Sequence, residues 1–302
     1  MKLSAVGEDA LVASLLRKLP VRRQVIARAG DDCAVVESPR RKNLLVLKTD
    51  CVVEKIHFTP ATDPILVGWK AMMRPLSDFA ATSAVPQFAL ITLILPAARS
   101  TSWVRKLYRG LQGAAARFDV SIVGGETSAT RGPVTISVSV TGFVEKDRRT
   151  SRAGGKKGDD LFVTGRLGAS LRGKHLRFVP RITESRWLTK NFRVHAMMDL
   201  SDGLGADLPR LAKASKLGFN IDKEKLPLAS GATIESAISD GEDYELLFAV
   251  SPRDRTRLQK SWRRKFPKVS LTRIGCLTQL STKASPARTN SQLLPRGYVH
   301  FQ

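Results

Sequence analysis

The chain has 302 residues, 42% of them apolar, and carries 50 Lys and Arg against 27 Asp and Glu, a formal net charge of +23. That length suits two domains of about 100–200 residues each, and no apolar run reaches the roughly 18 residues needed to span a bilayer. Acids at Glu8 and Asp9 fall where a secretory signal needs an unbroken apolar segment. Cys33, Cys51 and Cys276 form neither a disulfide framework nor a CxxC pair. A cytoplasmic protein without structural zinc is therefore expected. The positive charge suits anionic partners. However, the basic residues come in short groups such as Arg40-Arg41-Lys42 and Arg263-Arg264-Lys265, with no RNP-like aromatic motif or recognition helix. A generally basic surface is the plainer reading, so nucleic acid and membrane are not expected partners.

In chain order, GEDALVASLLRKLP spaces Leu11, Val12, Leu15, Leu16 and Leu19 as a helix that Pro20 closes. LLVLKTDCVV reads as a strand. VGWKAMMRPLSDFAATSAVP reads as helical, with Pro75 expected to kink it or restart it after Arg74. LITLILP, VSIVGG and the alternating VTISVSVTGFV are strands, and SWVRKLYRGLQGAAARF between the first two is a helix. Charge and glycine in EKDRRTSRAGGKKGDD mark a boundary. The division expected is 1–148 for an N-terminal domain that binds metal and nucleotide and dimerises, and 149–302 for a C-terminal domain that completes the site. In the second half LFVTG and DYELLFAV are strands, and LPRLAKASKLG and RDRTRLQKSWRRKF helices. The tail from about Leu280 to Pro295 reads as loop. The class is α/β, with mixed sheets of the α+β type, two domains, each a sheet covered by helices.

The acids of so basic a chain are concentrated. MMDLSDGLGADL holds Asp199, Asp202 and Asp207 with no lysine among them, a pattern that suggests a hard cation such as Mg²⁺, since close carboxylates repel one another. A helix cap followed by solvated acids is the alternative. Others sit at special positions: Asp31 and Asp32 entering a strand in GDDCAVV, Asp50 within KTDCVV, Asp78 at a helix start in PLSDFAA, and Glu126 on a glycine turn ending a strand in VGGET. Acids at strand ends can meet at one sheet edge, where Mg²⁺ would bridge polyphosphate oxygens. Strand alternation puts Lys48 on the same face as Asp50, within reach of any cation held there.

Taken in order, GEDALV, GDDCAVV, TDCVVEKIHF, VGWKAMMRPLSDFAA, VGGETSATRGPVTISVSVTGFV, SRAGGKKGDDLFVTG, MMDLSDGLGADLPRLAKAS, GEDYELLF and GYVHF resemble the thiamine-monophosphate kinase family, of the aminoimidazole ribonucleotide synthetase-like superfamily. The resemblance covers nearly the whole chain. It implies phosphorylation of thiamine monophosphate to thiamine diphosphate by ATP, with several Mg²⁺, direct in-line transfer and a homodimer paired through sheet edges. It also implies an N-terminal domain of the superfamily's type and no P-loop, and the chain has no GxxxxGK[ST].

Position by position the resemblance assigns metals to Asp32, Thr49, Asp50, Asp78, Glu126, Asp199 and Asp202. It gives ATP to Gly125, Glu126, Arg152 and Ser201, the thiamine substrate to His57, Glu242 and Tyr298, and the catalytic roles to Asp50, Asp202 and Arg152. His57, following an apolar strand, has packing as its competing role, and so has Tyr298 near the terminus. Four positions depart from the family pattern: Glu126 for aspartate, Lys48 for a small hydroxyl residue, Lys55 for glycine and Pro75 for asparagine. The alternatives are a superfamily paralogue acting on another phosphorylated small molecule, and an inactive basic nucleic-acid-binding protein on the same scaffold.

Overall fold

The computed structural model describes residues 8–16, 19–28, 30–39 and 42–280. The first half comprises α1 (Glu8–Leu16), β1 (Val25–Ala27), β2 (Ala34–Glu37), β3 (Asn43–Val53), α2 (Pro64–Ala81), β4 (Val85–Pro96), α3 (Thr101–Arg117), β5 (Ser121–Thr130) and β6 (Thr135–Glu145). Its six strands form one sheet in the order β1-β2-β3-β6-β4-β5, antiparallel except for the β4–β5 pair. The second half comprises β7 (Asp160–Thr164), α4 (Ile182–Asn191), β8 (Val194–Asp199), α5 (Leu204–Ala214), β9 (Gly218–Ile221), α6 (Ile234–Ser239), β10 (Leu246–Val250), α7 (Arg255–Lys265) and β11 (Leu271–Thr278). These strands make a wholly antiparallel sheet in the order β8-β10-β7-β11-β9.

Helix α2 is the hinge of the architecture. Asp63 caps it, its Oδ1 accepting the Ile65 N–H at 2.9 Å, and Pro64 opens it with a pre-set φ. It buries Val67, Met72, Met73, Leu76 and Phe79 against the first sheet. Its crossing with α3 is so close that a Cβ on Gly68 would stand 2.1 Å from the Leu107 carbonyl oxygen, and one on Gly110 2.0 Å from that of Ile65. No side chain fits at either position.

Pro75 does not end α2, which runs unbroken to Ala81. The missing N–H and ring clash cost about 3 kcal/mol in a helix interior, and the burial of Leu76, Phe79 and Ala80 beyond it offsets that. Asp78 consequently lies near the C-terminal end of a long helix, and not at a helix start. Glu126 likewise lies within β5, whose edge pairing with β4 carries the strand through both glycines; it does not sit on a terminal turn. Strands β8, β9 and β11 and helix α4 carry too little periodic pattern to stand out in the sequence.

The second sheet is apolar on both faces. Phe162, Met197, Phe248 and Val250 join the core beneath α2, and Leu161, Val163, Met198, Leu247 and Ala249 form a second core with Leu204, Leu208 and Leu211 of α5. Burial on both faces explains the uninterrupted LFV and LLFAV runs. No described helix is long and apolar enough to cross a membrane.

Candidate active site

Three carboxylates meet where the two sheets approach. Asp32 precedes β2, Asp78 lies on α2 and Asp199 ends β8; all three are buried, with one oxygen of each within 4.8 Å of the others. Ser77 donates to Asp199 Oδ2 at 2.6 Å. Arg152, in the connector between the sheets, donates to Asp32 Oδ1 from Nε and Nη2 at 3.0 and 2.6 Å. Its own N–H reaches Asp31 Oδ1 at 3.1 Å. Asp32 Oδ2 is buried without a hydrogen-bond partner.

Burial and neighbouring charge work against these acids in the absence of a cation. Desolvation, with Asp32 alongside, pushes Asp199 up to about 6. Desolvation likewise raises Asp78 well above the usual carboxylate range, against the pull of Lys48. An orphaned carboxylate oxygen beside two other buried carboxylates is a donor set that fits a hard divalent cation.

Asp50 is held differently. Lys48 and Asp50 share the buried face of β3, as the alternation requires. Lys48 Nζ lies 3.0 Å from Asp78 Oδ1 and 4.0 Å from Asp50 Oδ2, while Arg74 Nη2 approaches Asp50 Oδ1 at 3.6 Å. Burial lowers the Lys48 pKa, but Asp78 and Asp50 outweigh it and hold the ammonium protonated well above its ordinary range. Arg74 also donates to the Cys51 carbonyl at 3.1 Å.

Beside the cluster lies a cavity of about 140 Å³ lined by Ile56, His57, Arg74, Ser201, Glu242 and Tyr244 among others. Its size suits one end of a ligand better than a whole one, since complete sites run to about 300–1,000 Å³. His57 Nδ1 accepts the Val53 N–H at 3.1 Å, which puts the ring proton on Nε2. Glu242 and Tyr244 stand at φ values of 52° and 51°, in the left-handed region that side chains resist. The buried Lys70 fixes that loop, donating to Glu242 Oε2 at 2.7 Å and to the His57 carbonyl at 2.8 Å. Stacking of Tyr244 on Phe178, with ring centroids 3.8 Å apart, holds the other side.

The acids of MMDLSDGLGADL do not act as one group. Asp202 and the buried Asp207 share Arg210, the latter at 3.0 Å from its Nη1, and Asp207 Oδ2 accepts the Asp202 N–H at 3.0 Å. A single cation three residues past Asp207 is thus shared between them, and only Asp199 joins the cluster. Asp202 and Ser201 line the cavity instead. Thr49 points to the open face of the first sheet, bonded to the Ser139 hydroxyl at 3.0 Å. Glu126 shares that face: strand register sets Cys51, Ser137, Thr92 and Glu126 in one row, three strand spacings from β3 and on the side away from Asp78. Gly125 backs tightly on β4, where a Cβ would stand 1.8 Å from the Ile91 carbonyl oxygen. Tyr298 lies outside the described residues. The sequence reading missed Lys70, Arg74, Ser77 and Tyr244, all adjacent to motifs it used; three lie one or two helical turns before or beside Asp78 on α2.

A two-domain α/β fold with buried acids at its interdomain seam defines a class. The model of the AIR synthase related protein, N-terminal domain, matches residues 30–144, and that of the corresponding C-terminal domain residues 139–275. The thiamine-monophosphate kinase of Rhodopirellula baltica is 36% identical over 94% of this chain and 93% of its own length. That of Aquifex aeolicus is 33% identical with both chains wholly covered. A solved structure, AaThiL complexed with AMPPCP and TMP, is similar with a TM-score of 0.83 and 32% identity over 99% of each chain. The chain belongs to the thiamine-monophosphate kinase family.

Proposed function

We propose that this protein is a kinase that transfers the γ-phosphoryl group of ATP to thiamine monophosphate, yielding thiamine diphosphate and ADP. The observation that carries the reading is the buried trio Asp32, Asp78 and Asp199 with its orphaned oxygen, adjoining a cavity lined by His57, Ser201 and Glu242. The name of the Rhodopirellula relative and the two ligands of AaThiL support the choice of substrates.

Phosphoryl transfer needs positioning and charge neutralisation more than covalent help from the protein. The acceptor is a phosphate monoester whose second pKa is about 6, so its attacking oxygen is already ionised at neutral pH. No general base is required. That oxygen attacks the γ-phosphorus in line, the bond to the bridging oxygen breaks, and ADP leaves with the electron pair. Asp32, Asp78 and Asp199 would hold Mg²⁺, which supplies neutralisation of the phosphoryl oxygens. Arg152, which donates to Asp32 beside the trio, would stabilise phosphate charge. His57 and Glu242 orient the thiamine end of the acceptor, and Ser201 contacts ATP.

The domain division at residues 148 and 149, in the connector between the sheets, and a cytoplasmic location belong to the same proposal. So does a homodimer through the first sheet, for which the resemblance implies pairing of sheet edges and the exposed residues favour the open face as well. That face exposes Leu45, Phe88 and Leu90, and edge strand β5 adds Val123. Purified protein given ATP, Mg²⁺ and thiamine monophosphate should release equal amounts of thiamine diphosphate and ADP on chromatography. Asp32→Asn and Asp199→Asn should each slow the reaction at least about tenfold, or about 1.4 kcal/mol in the barrier. ADP released without thiamine diphosphate would redirect the assignment to another acceptor.

A further inference from the structure

The acids around Asp50 are already countered in large part by the chain itself. Asp32, Asp50, Asp78 and Asp199 contribute four negative charges to this region, and Lys48, Arg74 and Arg152 contribute three positive ones. Each cation has its own place. Arg152 covers one oxygen of Asp32, on the side of the connector. Lys48 stands between Asp78 and Asp50, and Arg74 closes Asp50 from α2. Among the described residues, Asp32 Oδ2 is a buried carboxylate oxygen of the trio without a hydrogen-bond partner.

We propose that Lys48, seconded by Arg74, is a built-in counter-cation that occupies the position a divalent ion would otherwise take between Asp50 and Asp78. The inference rests on the metal reading of the proposed function and sharpens it. A carboxylate pair bridged by an ammonium 3.0 Å from one oxygen and 4.0 Å from another offers a dication both a blocked position and a like charge beside it. The residual negative charge then concentrates at Asp32 and Asp199, where one cation can be shared with the phosphates of a bound nucleotide. Asp50 becomes a positioning residue, holding Arg74 in the lining of the cavity, where its guanidinium can meet an anionic ligand group.

Lys48 is removable without opening a large void, because its side chain is about a quarter exposed. The test counts Mn²⁺ bound per chain at saturation in the nucleotide-free protein, by electron paramagnetic resonance against free Mn²⁺, for wild type, Lys48→Ser and Lys48→Gln. Circular dichroism confirms folding of each. The serine variant should bind one more ion than wild type, and adding Asp50→Asn to it should return the count to the wild-type value. Lys48→Gln, which keeps the length and loses the charge, should show the same gain if the serine variant fails to fold. Equal counts in wild type and the folded Lys48 variants, zero included, overturn the inference. A wild-type count of one or more with no gain in the variants would leave the trio as a metal site and discard only the role of Lys48, so the two readings fail separately.

Discussion

Lys55 shows how a single backbone angle gives meaning to a departure from family pattern. Its φ is 69°, and its N–H donates to the Phe58 carbonyl at 2.7 Å, closing the turn that presents His57 to the cavity. Glycine is at ease there, and an L side chain costs about 1–2 kcal/mol. Lys55→Gly loses some of that gain to the greater freedom of the unfolded chain. It should still raise stability by about 0.5–1 kcal/mol in urea denaturation while leaving the site's geometry intact. A neutral or destabilising result would mean that Lys55 makes compensating contacts. Residues of this kind explain what was legible: Asp32, Asp78 and Asp199 could be marked as acids in unusual company. Their convergence needed α2 to continue past Pro75, which local propensity argues against. Glu126 and Thr49 stood out equally well and lie on the other face of the sheet, because a two-residue period decides the side, and the glycines of VGGET hid the continuation of the strand through Glu126.

At the scale of elements, the seam between the halves is tied by Glu145 at the end of β6 and Arg186 on α4. The guanidinium grips both carboxylate oxygens at 2.6 and 2.7 Å, and its Nη1 also reaches the Ser83 carbonyl at 2.8 Å. Those hydrogen bonds pull Glu145 down to about 2 from its ordinary 4.5. With the folded value below the unfolded one, the pair's stabilisation is complete above about pH 4.5 and is lost as pH falls towards 2. The Glu145 side chain is about a third exposed, so solvent screening holds its contribution to roughly 1 kcal/mol. Glu145→Gln should lower the melting temperature by a few degrees at pH 7, and the difference from wild type should vanish near pH 2. A gap that persists at low pH would assign the effect to packing. Neither α4 nor this contact could be read from ITESRWLTKN, a stretch whose polar content conceals the buried Leu188 and Ser185.

For the molecule as a whole, the open face of the first sheet is the surface on which the proposed dimer rests. Helices α2 and α3 cover one side only, and Thr49, Ser137 and Ser139 share the other with exposed Leu45, Phe88 and Leu90. If the proposed dimer buries this face, light scattering at micromolar concentration should give twice the 33.1 kDa chain mass. Leu90→Glu, on a strand whose own pairing is unaffected, should shift that mass towards one chain. A single-chain mass for the wild type would retire the dimer. The net charge of +23 had suggested large anions, yet the acids it surrounds are buried at the seam, so the surface and the interior of the molecule carry opposite messages. Composition could report only the first.

The second sheet lies between two cores, with Phe162 and Phe248 stacked at 5.7 Å on one side and Leu161, Val163 and Leu247 packed on the other. Such a sheet cannot be parted from its neighbour without baring an aromatic face to water. The halves are thus separate in topology and joined by a common core: a chain cut in the connector near Gly154 would yield two fragments, each carrying an unfinished surface shaped to the other. Made together, they would reunite as a split protein whose reassembly also rebuilds the acid trio, since Asp32 and Asp78 travel with one fragment and Asp199 with the other.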